Sequence, residues 1–218
     1  MKYVYSKNEF FCNHLNISYF EKILNSNKKL FNHPSFDKYI DNWKAVLVRL
    51  YISEKDRTII LNQGQYYYEP IFFDDDEIRL HINIDLAYKR ALVCKCTQIP
   101  LKYFSSSLSA PENTYVKYSF IPDLGNTSRY QKSNEPIILV IFNQYGYEKL
   151  VIDGNHRVSA KVNSSVEIIN AKELSLNDVL CTMISDFEKA IYTFLYEGYL
   201  LSKGDFSIIN KSNYSFFI

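Results

Sequence analysis

Net charge is almost absent from this chain. Its 25 basic side chains face 24 acidic ones, a formal +1, so no global field draws it to polyanions or anionic membranes. A protein dedicated to coating DNA is expected to be more basic, and nucleic acid is therefore disfavoured as a partner. Long apolar runs are missing as well: nothing approaches the roughly 18 residues that span a bilayer, and Met1 to Ser6 lacks the apolar stretch of a signal peptide. The expectation is a cytoplasmic protein with no membrane partner. Cysteine is sparse, with Cys12, Cys94, Cys96 and Cys181 and no CxxC pair, which excludes a disulfide-stapled secreted scaffold and reads as reduced thiols. Cys94-Lys95-Cys96 lacks the two further ligands a zinc site needs, so no residue is assigned to a metal. His14, His33 and His81 have no partner at ligand spacing and are read as structural or solvated.

What is abundant is apolar and aromatic. With 218 residues, 47% of them hydrophobic, the chain is long enough to bury a real core. Its 19 Tyr and 15 Phe are read as core and half-buried strand surface before any base-stacking role. Phe36, Tyr39, Ile40, Trp43, Val46, Leu47 and Leu50 recur at three- and four-residue spacing and predict a helix over 35–52. A shorter helix is expected over 18–24. Arg57 to Asn62 and Tyr66 to Phe73 read as strands joined in a hairpin at Gln63-Gly64-Gln65, and Asp74-Asp75-Asp76-Glu77 as a solvated turn or helix start. A helix is expected over 84–96, then extended chain at Ile99-Pro100-Leu101, then a polar, turn-rich and mobile stretch over 105–132.

The pattern sharpens at Pro136 to Phe142, a nearly continuous apolar run that predicts a buried strand. A turn at 143–146, a second strand over 147–152, a short helix over 156–162 and a third strand over 166–171 follow. Ser175, with Asp178 three residues on, is expected to cap one long helix reaching Leu201. Its stripe of Leu180, Met183, Ile184, Phe187, Ile191, Phe194 and Leu195 is a surface for covering the sheet or for a homodimer or protein partner.

Between the second strand and the short helix stands Asp153-Gly154-Asn155-His156-Arg157. A strand, a glycine turn and a helix opening with His and Arg suit an anion, because the first amides of a helix point outward and their dipole favours negative charge. Gly154 allows close backbone approach, Arg157 offers a planar fork to phosphate oxygens, and His156 donates a hydrogen bond or shuttles a proton. Asp153 is placed to orient His156 or to hold magnesium on the phosphates. The competing reading is a surface turn with Asp and Asn as local caps.

These residues resemble a family. Glu135-Pro136-Ile137 to Phe142, then Leu150 to Ala160 with its Asp-Gly-Asn-His-Arg string, then Val166 to Ala171, are similar to the core of the ParB/sulfiredoxin superfamily, with Ile99-Pro100-Leu101 as its opening strand. The likeness covers roughly residues 97–175. It implies an α/β (α+β) fold with a small mixed sheet, and a nucleotide-phosphate site held by Gly154, His156 and Arg157. Asn155 is expected beside them in binding the nucleotide, and His156 and Asp153 are the expected catalytic residues. It also implies a nucleoside triphosphate, ATP or CTP, with Mg²⁺. Sulfiredoxins carry a catalytic cysteine before the His-Arg pair; Asn155 stands there in this chain, which removes the nucleophile. Partition proteins continue into a helix-turn-helix region, and here a single apolar-striped helix follows instead.

The expected organisation is an α-rich region over 1–96 and a ParB/sulfiredoxin-like domain over 97–218. The expected function is a Mg-dependent NTPase or small-molecule phosphotransferase. The alternatives are a non-catalytic nucleotide-responsive module and a nucleic-acid-binding protein or nuclease. A phosphotransferase needs a general base, for which Glu112, Asp123 and Glu173 are carboxylate candidates. Arg129 and Lys132 are candidates to close over phosphates.

Overall fold

The computed structural model describes residues 3–4, 33–54, 60–61, 64–73, 76–106, 116–123, 125, 128–144, 147–162, 164 and 166–217. Expectations for the helix at 18–24, for Cys12, His14 and Glu112, and for the start of the acidic run at Asp74 and Asp75 lie outside them. The fold is α+β. In chain order the elements are β1 (Tyr3–Val4), α1 (Phe36–Glu54), β2 (Ile60–Leu61), β3 (Tyr66–Phe73), β4 (Asp76–Asn83), α2 (Ile84–Ala91), β5 (Cys96–Pro100), β6 (Phe104–Ser106), β7 (Val116–Phe120), β8 (Ile137–Gln144), β9 (Tyr147–Asp153), α3 (Asn155–Val162), β10 (Ile168–Glu173), α4 (Leu176–Leu180), α5 (Asp186–Ser202) and α6 (Ile208–Lys211). The chain divides into two compact units, one made of Met1–His81 with Met183–Ile218 and the other of Ile82–Thr182.

In the second unit six strands run in the order β5-β10-β8-β9-β7-β6. The sheet is mixed: β5/β10 and β8/β9 pair antiparallel, while β10/β8, β9/β7 and β7/β6 pair parallel. The apolar run beginning at Ile137 becomes β8, an inner strand. Both of its faces are buried, Ile137 and Leu139 on one and Ile138 and Val140 on the other, which is why its sequence is continuous rather than alternating. Ile137 and Leu139 join Ile99, Leu101, Tyr118, Phe120, Val151, Ile169 and Ala171 in one cluster, onto which α3 places Val158. That single buried valine, fully enclosed, seats the helix that opens at the motif.

Two strands, β6 and β7, fall inside the stretch expected to be polar and mobile. β7 is short, and among the described side chains Tyr118 and Phe120 are those it gives to the cluster, too little alternation to stand out in sequence. The expected hairpin is also partnered differently. β2 pairs with β1, and β3 pairs with β4, so the acidic run leads into a strand. Ile78, Leu80 and Ile82 of β4 are buried at a period of two, a strand signal overshadowed by the carboxylates before it.

The single long C-terminal helix is two helices. Ser175 does cap a helix, accepting from the Asp178 amide at 3.3 Å, but that helix ends at Leu180. Thr182 Oγ1 then donates to the Val179 carbonyl at 2.6 Å. Ser185 starts α5 by accepting from the Glu188 amide at 3.0 Å. Ser185-Asp186-Phe187-Glu188 is a capping-box sequence, lying within an apolar periodicity that runs through the break.

α5 belongs to the first unit, with α1. Of the expected stripe, Met183, Phe187 and Ile191 are buried in that unit, with Ala190 and Leu201 beside them, so part of that face is internal to the fold. Two carboxylates organise this unit. Glu54, at the end of α1, accepts from the Asp186 and Phe187 amides at 3.2 Å each, satisfying orphan donors at the start of α5. Glu197, fully buried, accepts from Tyr39 Oη, Trp43 Nε1, Ser212 Oγ and both the backbone and side-chain nitrogens of Asn213. Five donors replace the water hydrogen bonds that this carboxyl group loses on burial.

Candidate functional site

β9 ends where the chain must turn sharply, and Gly154 makes that turn at φ +95. A side chain there would be strained whatever the space, and a Cβ would lie 2.6 Å from Ile137 Cγ2 and 2.8 Å from an Arg157 nitrogen. Glycine is therefore required twice, by the backbone conformation and by close packing. The Val158 amide bonds to the Gly154 carbonyl at 3.0 Å, and α3 runs on to Val162 with its first amides lacking intrahelical partners, as at any helix start.

Arg157 lies behind this turn. Its guanidinium donates to Asp153 Oδ2 at 2.9 Å, to Glu135 Oε2 at 3.1 Å and to the Pro136 carbonyl at 3.3 Å. The side chain is only 12% exposed, and its Nε is buried without a hydrogen-bond partner among the described residues. The guanidinium thus ties the end of β9 to the residues entering β8. Asp153, one helical turn before Arg157, is engaged by it, so the residue expected to orient His156 is occupied elsewhere.

The orienting carboxylate is Asp123. Its Oδ2 lies 2.5 Å from His156 Nδ1, across 33 residues of sequence. Two side chains of α3 bring it there. Asn155 Oδ1 accepts from the Ile121 amide at 2.8 Å while its Nδ2 donates to the Val151 carbonyl at 3.2 Å. Ser159 Oγ accepts from the Asp123 amide at 2.9 Å. Residues 155 and 159 lie on one helix face, and together they pin the segment leaving β7 along α3. Asp123 Oδ1 meanwhile accepts from the Gly125 amide at 2.8 Å. That backbone bond first, and the His156 bond second, hold the Asp123 carboxyl below its ordinary range.

His156 is 55% exposed, and its ring stacks on Tyr130 with centroids 5.2 Å apart and planes 8° from parallel. The Arg129 guanidinium sits over the same tyrosine ring, 4.7 Å from its centroid. Of the other expected residues, Glu173 forms an ion pair with Lys149 and is not drawn to His156. The motif thus brings Gly154, His156 and Arg157 together, commits the Asn155 side chain to the scaffold, and recruits Asp123, Tyr130 and Glu135. No local spacing could have found the Asp123 pairing, which depends on where β7 lies in the sheet.

Away from this motif, His81 is buried and pairs through Nδ1 with Glu188 Oε1 at 2.8 Å, while its backbone amide donates to Glu188 Oε2 at 2.7 Å. Burial pushes the Glu188 carboxyl up, against the opposing pull of His81. Cys94, Cys96 and Cys181 are free thiols. Among the described residues no three His, Cys, Asp or Glu side chains are grouped to hold a metal ion, and no helix is long and apolar enough to cross a membrane.

Comparison of the chain with protein-family models, with curated proteins and with solved structures returns no match.

Proposed function

We propose that the chain binds the phosphates of a nucleoside triphosphate at the start of α3 and acts as an NTPase or small-molecule phosphotransferase of the ParB/sulfiredoxin kind. The observation that carries this reading is the Gly154 turn. It opens α3 next to an exposed His156 on a mixed sheet, and a helix start offers unpaired N–H groups and a favourable dipole to an anion. Mg²⁺ belongs to the substrate, arriving on the phosphates. Asp153 is bonded to Arg157. Arg157, expected in sequence to hold phosphate, acts in this reading from behind the turn, keeping the loop shaped.

The test is calorimetric titration of ATP, ADP, CTP and GTP, each with Mg²⁺, into the wild type and His156→Ala, followed by product analysis of each mixture. Saturable binding of a triphosphate that weakens in His156→Ala, with formation of diphosphate by the wild type, supports the reading. Absence of binding by every nucleotide overturns it.

A further inference from the structure

We propose that Asp123 and Tyr130 are positioning residues that fix His156 as the proton acceptor for a hydroxyl group, of water or an alcohol, attacking the terminal phosphate. This rests on the phosphate site proposed above.

The two oxygens of Asp123 have separate duties. Oδ1 takes the Gly125 amide at 2.8 Å and Oδ2 faces His156 Nδ1 at 2.5 Å. A carboxylate can only accept, so Nδ1 must carry a proton, and in the neutral ring the lone pair is then on Nε2. The parallel Tyr130 ring limits rotation of the imidazole about its own bonds, and the Asn155 and Ser159 bonds to residues 121 and 123 hold the carboxylate in register with it. The base stands at the helix start, and its orienting carboxylate comes from 33 residues earlier in the chain; the two meet at one exposed ring.

The step balances without a further reagent. The attacking O–H gives its proton to Nε2 while its oxygen forms a new bond to the terminal phosphorus. The bond from that phosphorus to the bridging oxygen breaks, and the nucleoside diphosphate leaves with the bonding pair. Asp123 stabilises the imidazolium that results, as carboxylates paired with catalytic histidines do. Nε2 then returns its proton to solvent. With water the products are diphosphate and inorganic phosphate; with an alcohol they are diphosphate and a phosphate monoester.

Asp123→Asn tests this sharply. The asparagine oxygen keeps the Gly125 amide, which leaves its NH₂ facing Nδ1. That nitrogen must become the acceptor, the ring proton moves to Nε2, and the base is lost with little change in shape. Long-range ¹H–¹⁵N NMR of the nucleotide-free protein should show His156 protonated on Nδ1 in the wild type and on Nε2 in Asp123→Asn. With Mg·ATP, alone or with glycerol as a simple alcohol, the variant should lose kcat by roughly 10²–10⁴-fold with KM and the calorimetric Kd little changed. Tyr130→Leu should give a smaller kcat loss and a mixed tautomer. A wild-type ring without the Nδ1–H tautomer overturns the positioning claim whether or not nucleotide binds. A correct tautomer with unaltered kcat in Asp123→Asn overturns the role as base, as does a wild type that binds Mg·ATP without turning it over. Absence of nucleotide binding by the wild type removes the phosphate site itself and with it this step, and calorimetry separates that failure from the others.

Discussion

Arg157 reaches back four residues to Asp153 at the end of β9, Nη2 to Oδ2 at 2.9 Å, and in doing so closes the loop around Gly154. The same guanidinium holds Glu135 and the Pro136 carbonyl, so one side chain joins the end of β9, the start of α3 and the entrance to β8. A residue type that reads in sequence as a phosphate ligand serves here as a clasp.

Arg157→Ala should therefore destabilise the second unit as well as alter any binding. It removes three hydrogen bonds from a mostly buried fork and leaves Asp153 without its partner. A loss of about 1–3 kcal/mol is expected, measured as a shift in the urea midpoint at unchanged m. Arg157→Lys should restore only part of it, because a point charge cannot satisfy three acceptors arranged for a planar fork. A variant as stable as the wild type contradicts the clasp.

Gly154→Ala meets both a left-handed backbone and a Cβ placed 2.6 Å from Ile137 Cγ2. The two penalties together should cost about 2–4 kcal/mol, more than any other single methyl in the motif. Hydrogen exchange should localise the loosening to β8, β9 and α3, the three elements that meet at that glycine. A neutral result would mean that the turn adopts another conformation.

The buried pair of His81 and Glu188 makes a pH prediction with a definite sign. Burial raises the Glu188 carboxyl above its ordinary value of about 4.5, so the native state holds a proton that the unfolded chain releases. Its contribution is fully present below the unfolded value and is lost as pH rises through the native one. Glu188→Gln removes this titration. The stability of the variant relative to the wild type should thus increase as pH rises above about 4.5, read from denaturation curves at a series of pH values. The opposite slope would show that the pair is dominated by the attraction of His81 rather than by desolvation.

Much of the architecture was legible in sequence wherever the period of apolar residues is governed by one element packing on one core. The spacing from Phe36 to Leu50 is the buried face of α1, and the run from Ile137 becomes β8 within a residue or two. The Gly154 turn and the helix after it were legible because glycine and a change of period mark them locally. The apolar stripe after Ser175 misled, because the second helix, which Ser185 caps at the Glu188 amide, begins without interrupting periodicity.

By itself, then, the sequence determined the strongly periodic elements, α1 and β8 among them, and the place of the Gly154 turn, since backbone sterics and burial periodicity act over a few residues. Only the tertiary structure decided what each motif side chain does. Asp123 meets His156 across 33 residues because β7 lies beside β9 and α3 pins the chain leaving it. Arg157 reaches Glu135 and the Pro136 carbonyl as well as Asp153 because β8 lies beside β9. Those pairings depend on sheet order and on which hydrogen bonds a folded neighbour leaves open, and neither is a property of local sequence.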